Sequence, residues 1–458
     1  MISSRARLLV GLVALAVAIG CAPSPATPSR APATSPPVAT TPAPSAPESP
    51  SGNLVIVGRI VTMGESGVVE AVLIEGGTVT AVGTRNEVLA YSDDLVPVID
   101  IGANVAYPGF IDAHAHWIGD RGYYGLSSAA EAMQAALERG WTSIAELWVD
   151  AERLAELEGL AADGALPLRV DAYLALNEPS IGGAHFGDWY QDRQPGRVSA
   201  LLRVQGVKIH LDHGAKPDLL WEADELNRTI AAANEAGWQV AVHVMRTDAH
   251  EMLLDAFETA LGPTGPNPLR HRIEHAIQVT DAQVERMVAM QIPVVIHLDT
   301  AVADWLGEPD ALADLGNDTA LLTRWQDFVD AGLHVAGATD APWIFPGFVM
   351  ADDIGRPVDQ VGGGMDPRGR LFPEAPAWMA HQLLTAQQGL RAVTIDAAYA
   401  LGDEARRGHL ASGTLGDVTI LSGDVTAATP GEIRATTVIA TIVGGEVVYC
   451  FDAHVCAN

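Results

Sequence analysis

The sequence predicts an α/β fold: a (β/α)8, TIM-like barrel with a small β-sandwich domain built from both chain ends. Three observations predict it. Apolar, strand-like runs recur at 109–113, 142–147, 168–175, 204–210, 239–244, 271–275, 293–297 and 333–338. Helical patterns separate most of them, among them Ser127–Arg139, Trp221–Gly237, Ala249–Leu261, Asp281–Met290 and Thr319–Ala331. Eight strand–helix alternations are what a closed parallel barrel requires. The two flanks read differently, as short strands punctuated by glycine turns, which suggests one β domain drawn from both termini.

In chain order, the first segment reads as an address. Arg5 and Arg7 precede an apolar run from Leu8 to Ile19, too short to span a bilayer and matched to a secretory signal core. The run ends Ala18-Ile19-Gly20-Cys21, which resembles the lipobox of bacterial lipoproteins, where the cysteine is lipidated. The expectation is a signal peptide over 1–20 and lipidation of Cys21, giving an exported, membrane-anchored body. Residues 21–52 are mostly Ala, Pro, Ser and Thr, a composition that buries no core and behaves as an extended tether.

The first part of the sandwich, 53–107, rests on Leu54–Val57, Ala71–Ile74 before Gly76-Gly77, Val79–Gly83 and Val96–Ile99. The barrel spans 108–407. The second part, 408–458, rests on Gly416–Leu421 and Val438–Gly445. Cys450 and Cys456 lie close together at its end, positioned either to close a small disulfide loop or to remain two thiols.

Composition narrows the function. Lys+Arg total 27 against 57 Asp+Glu, a formal net charge of −30, and such a field repels phosphate backbones. The expected partners are therefore a small-molecule substrate, no nucleic acid, and a membrane only through the lipid anchor, with room for a homo-oligomer. Three cysteines exclude a Cys-rich metal module. Lysine occurs only at 208 and 216; every other fixed base is Arg. Lys216, in a Gly-Ala-Lys-Pro loop, reads as an ordinary surface residue.

Barrel chemistry gathers at the C-terminal ends of the strands. The first strand ends Asp112-Ala113-His114-Ala115-His116, and residues two apart in extended chain face one side, so His114 and His116 can grip one cation. The fourth ends Lys208-Ile209-His210, the fifth His243, the sixth Glu274-His275 and the eighth Asp340. Five strands ending in such residues point to a metal centre rather than to independent strand caps.

These segments resemble the amidohydrolase superfamily, closest to its amidohydrolase-3 (YtcJ-like) branch. The likeness rests on Tyr107-Pro-Gly-Phe-Ile-Asp-Ala-His-Ala-His116, Gly206-Val-Lys-Ile209, Arg272-Ile-Glu-His-Ala276, Ala338-Thr-Asp-Ala341 and the closing Gly408–Val418 segment, in which the family's Pro and Lys are replaced. The resemblance implies His114, His116 and Asp340 on one metal, His243 and His275 on the other, and Lys208 carboxylated to a bridging carbamate. A protonated lysine repels two cations, whereas its carbamate is an anionic two-oxygen ligand that Arg cannot provide. It further implies two divalent ions, zinc for so His-rich a set, and hydrolysis of an amide or lactam C–N bond by a metal-bridging hydroxide. Asp340 would accept the water proton and pass it to the departing amine.

Smaller expectations attach to His297, Arg246 and Trp343 as substrate contacts, to Glu146 as support behind the ligands and to Trp117 as pocket wall. His185, His210 and His213 carry no assignment. Two rival readings stand beside the two-metal hydrolase. A mononuclear aminohydrolase on the same barrel commonly places a Glu three residues after the fifth-strand His, where this chain has Arg246. A non-catalytic, small-molecule-binding lipoprotein would share the tether and the export signal.

Overall fold

The computed structural model describes residues 52–93, 95–178, 184–187, 189–213, 216–297, 319–341, 380–429, 432–433 and 435–456. The signal segment, Cys21 and almost all of the tether lie outside these residues, as does Trp343.

Eight parallel strands form the barrel: Phe110–Ala115, Trp141–Val149, Arg169–Ala175, Leu202–His210, Gln239–Val244, Arg272–His275, Val294–His297 and Val335–Ala338. Each pairs with the next in parallel register. The eighth meets the first at the rim, where Asp340 N donates to His114 O (2.8 Å) and His116 N to Ala341 O (2.7 Å). All eight predicted strands are present, within a few residues of their expected limits.

Helices cover the outside because strand residues alternate between two apolar layers. Val207, Ile209, Val240, Val242 and Ile273 face the helical layer, where Leu253, Leu254 and Phe257 of the helix Thr247–Leu261 are fully buried. Each such side chain stabilises the fold by about 1.5–3 kcal/mol. The alternate residues, Lys208, His210, His243, Arg272 and Glu274, therefore share the other parity, toward the barrel interior. Short polar side chains start the helices: Ser128 accepts from Glu131 N, Asp150 from Arg153 N, and Thr280 forms a reciprocal box with Gln283.

The flanking strands join in one seven-stranded sheet from both ends of the chain. Val98–Pro108 is its seam, parallel to Leu54–Val61 on one side and antiparallel to Val418–Leu421 on the other. Gly58 (φ +144°) sits where the register of Leu54–Val61 shifts, and a Cβ there would collide with Ile101 Cγ1. Cys450 and Cys456 are joined by a disulfide, the first of the two arrangements the sequence left open.

A buried ionic network underlies the barrel floor. Asp171 accepts from Arg203 (2.5 Å) and Arg407 (2.8 Å), and Arg407 also meets Asp403 (2.8 Å). Arg169 grips Asp417 through two nitrogens (2.6 and 2.8 Å), and Asp417 also receives Gly444 N. Asp417, the aspartate of the closing motif, thus ties the barrel to the sheet. Among the described residues no helix is long and apolar enough to cross a membrane.

Candidate metal centre

The strand ends place most of the expected ligands together. His114, His116 and Asp340 each offer a ligand atom within 4.8 Å of the others, and His114, His275 and His297 form a second such group. Asp340 Oδ1 lies 3.3 Å from His114 Nε2 and 3.4 Å from His116 Nε2. Lys208 is wholly buried, its amine 3.4 Å from His114 Nε2, and it forms no ion pair with a carboxylate among the described residues. His243 belongs to neither group; its ring centre lies 4.3 Å from that of His275, and its Nε2 is 3.4 Å from Asp212 Oδ1.

The backbone is held in an uncommon state at two of these ligands. His275 (φ +73°), Ala276 (+47°) and Asp340 (+52°) occupy the left-handed region without being glycine, a cost that strand-end sites sustain when the surroundings fix them. For Asp340 the fixing group is Asp112. Its carboxylate accepts from Thr339 N (2.9 Å), Thr339 Oγ1 (2.6 Å) and Trp117 Nε1 (3.0 Å). Trp117 is therefore anchored behind the rim and fully buried rather than lining an open pocket.

Three supporting groups went unassigned in the sequence reading. Glu274 accepts the Nδ1 proton of His114 (2.7 Å) while Arg272 Nε meets its other oxygen (2.7 Å), so His114 directs its Nε2 lone pair toward Lys208 and Asp340. A signal was present: Arg272 and Glu274, two apart in an apolar strand, are opposite charges on one buried face. Asp212 holds the turn after the fifth strand by accepting from Met245 N (2.9 Å) and Arg246 N (3.0 Å). Asn177 clasps the backbone of His210, whose ring stands 5.1 Å from His243. Glu146 has the supporting place expected of it, accepting from Ile118 N and Gly119 N (2.7 Å) just beyond His116.

The other expectations fall as follows. His297 is buried at the end of the seventh strand, its Nε2 2.7 Å from His275 Nδ1 and 3.8 Å from Asp340 Oδ2. Arg246 pairs with Asp248 through both ends of its guanidinium (3.0 and 3.2 Å) at the start of the next helix. His185 stacks on Trp221 and meets Glu225, away from the ligand groups.

Burial sets the charge states. It lowers His114 and His275 well below the ordinary imidazole value and His297 to about 4, so these rings are neutral donors. Burial lowers the Lys208 amine to about 8 despite Glu274 and Asp340, which brings its neutral, nucleophilic form within reach near neutrality. Burial raises Asp340, but His297, His116 and Lys208 outweigh it and keep the carboxyl below its ordinary range. His210 Nδ1, His275 Nε2 and His297 Nδ1 are buried without a hydrogen-bond partner among the described residues. Neutral imidazoles with free nitrogens beside an ionised carboxylate are a donor set that could hold a metal ion.

Comparisons with known proteins agree with this geometry. The chain is 26% identical over 316 residues to the putative amidohydrolase YtcJ of Bacillus subtilis (strain 168), covering 64% of this chain and 54% of that protein. It is 24% identical over 298 residues to the N-substituted formamide deformylase of Arthrobacter pascens, covering 58% and 51%. The chain thus spans about half the length of these curated relatives. An uncharacterized metal-dependent hydrolase from Pyrococcus horikoshii shares the fold, with a TM-score of 0.65 at 17% identity over 83% of this chain and 99% of that one. The model of the Amidohydrolase family matches residues 122–449, and with a barrel rim of this kind the chain belongs to that family.

Proposed function

We propose that this protein is a metal-dependent hydrolase that cleaves a C–N bond, in an amide, lactam or related group of a small molecule. The observation that carries the reading is the convergence of His114, His116 and Asp340 within 4.8 Å at the C-terminal rim. His114, His116, Asp340, His243 and His275 would hold two divalent ions, zinc in this reading, with Lys208 as carbamate between them. Ions bound there supply Lewis acidity, lowering the pKa of captured water and polarising the scissile carbonyl.

The chain's own residues do the rest. Lys208, neutral when its amine loses a proton, would form an N–C bond to carbon dioxide and release one further N–H proton to solvent, leaving an anionic carbamate in a cage of neutral rings. Glu274 keeps His114 in one tautomer, and Asp112 holds Asp340 in place through Thr339. Asp340, whose Oδ1 lies 3.3 and 3.4 Å from the two first-strand histidines, would take a proton from water as the water oxygen adds to the carbonyl carbon, and give it to the nitrogen as the C–N bond breaks. Arg246, engaged with Asp248, is not needed for these steps.

A second reading, a one-ion aminohydrolase, is favoured by a specific feature. With Glu274 on its Nδ1, His114 has a single remaining nitrogen, and both ligand groups use that residue. Metal analysis of wild type and Lys208→Ala separates the two. Two ions per chain falling to one or fewer supports the carbamate-bridged centre, and one ion unchanged by the substitution supports the aminohydrolase. A panel of amides, lactams and esters, with chelated and metal-restored protein, tests turnover itself. No hydrolysis alongside tight binding of an intact ligand would instead favour a binding lipoprotein.

Residues 1–20 and Cys21 further support export and lipid anchoring, with 21–52 as tether, and the Cys450–Cys456 disulfide suits an oxidising compartment. Incorporation of labelled palmitate that disappears in Cys21→Ala is the expected result.

A further inference from the structure

The ligand set read from the sequence ends with the first, fourth, fifth, sixth and eighth strands. The seventh strand also ends in a histidine on the same rim, paired in register with Ala338, two residues before Asp340. We propose that His297 is a metal ligand of this centre, facing the ion that His114 and Asp340 hold. This inference rests on the metal-dependent reading above.

Ring positions carry it first. The ring centres of His114, His275 and His297 form a triangle with sides of 5.1, 5.3 and 4.6 Å. Three imidazoles around one tetrahedral ion, with bonds of about 2.0–2.1 Å, hold their centres about 5 Å apart. A ligand atom from each lies within 4.8 Å of the others. The three rings are 1%, 4% and 4% exposed, so water does not satisfy them.

Charge carries it second. His297 Nε2 faces Asp340 Oδ2 at 3.8 Å and His275 Nδ1 at 2.7 Å. Nitrogen lone pairs and a carboxylate oxygen converging beside buried rings repel unless a proton or a cation lies between them. One shared proton satisfies the two histidines alone. A divalent ion satisfies His297, His114 and Asp340 together, and Glu274, by occupying His114 Nδ1, leaves the correct nitrogen of that ring available.

The test is a crystal structure of the zinc-loaded protein, with diffraction measured on both sides of the zinc absorption edge. The expected result is an anomalous peak within about 2.3 Å of a His297 nitrogen. A peak held by His114, His116 and Asp340, with His297 beyond about 3 Å of it and bonded only to His275, overturns the inference and leaves the hydrolase reading standing. No peak at the rim overturns both. In solution, His297→Ala loaded with cobalt(II) should show an altered visible spectrum, together with zinc binding weakened at least about tenfold. An unchanged spectrum and affinity would likewise refute the role of His297 and not that of the other ligands.

Discussion

Glu274 shows how a single side chain governs the centre without facing the substrate. Its carboxylate divides between Arg272 and His114, so it cannot be exchanged for an amide without loss. Glu274→Gln should weaken zinc binding about 10- to 100-fold, measured by competition with a chelator. Unchanged affinity would mean that His114 keeps its tautomer unaided. Lys208 is subject to a sharper expectation: Lys208→Arg keeps a long cationic side chain but forms no carbamate, so metal content by elemental analysis should fall below two ions per chain and amide turnover should be lost. At this scale the sequence showed which residues stand at or near the strand ends, as at His114, His116, Lys208, His275 and Asp340. It was not legible for Glu274 and His114, which are 160 residues apart and meet only through barrel closure.

At the scale of elements, the barrel strands were readable because alternation and glycine or proline punctuation specify them locally. Their joining was not. The eighth strand meets the first through Asp112, which receives Thr339 N, Thr339 Oγ1 and Trp117 Nε1 and thereby aligns Asp340 with His114. Burial raises the Asp112 carboxyl to about 6, and these donors together with His114 N keep it from rising further. Asp112→Asn leaves at least one of those donors unsatisfied. It should destabilise the fold by about 1–3 kcal/mol in denaturant unfolding and loosen metal retention at the same time. A variant that loses neither would show that the first and eighth strands are held by their backbone bonds alone. The disulfide is a further case: spacing allowed it, and the turn at Asp452 with the short helix Ala453–Cys456 brings Cys456 back to Cys450.

For the whole molecule, part of the acid excess is matched internally: Asp171, Asp403 and Asp417 are buried against arginines. Burial alone would raise Asp171, yet Arg203 and Arg407 outweigh it and lower the carboxyl to about 2 from an ordinary 3.8. A depressed folded-state pKa means the network stabilises fully above the unfolded value and loses that contribution as pH falls through the folded one. The loss should be on the order of 2 kcal/mol, between about pH 4 and pH 2. Acid unfolding of Asp171→Asn beside wild type checks this: the stability gap should narrow across that window, and a constant gap would contradict it. The network also shows what composition hides. A net charge of −30 does not reveal that Arg169, Arg203 and Arg407 are engaged with buried aspartates under the barrel floor.

Elemental analysis of the purified protein beside a His114→Ala, Asp340→Ala double variant bears most directly on the claim that the rim is a catalytic metal centre. Wild type should carry divalent metal in stoichiometric amount, and the variant, folded by circular dichroism, should carry almost none. Equal metal in both, or a metal-free wild type that still hydrolyses amides after chelation, would contradict it.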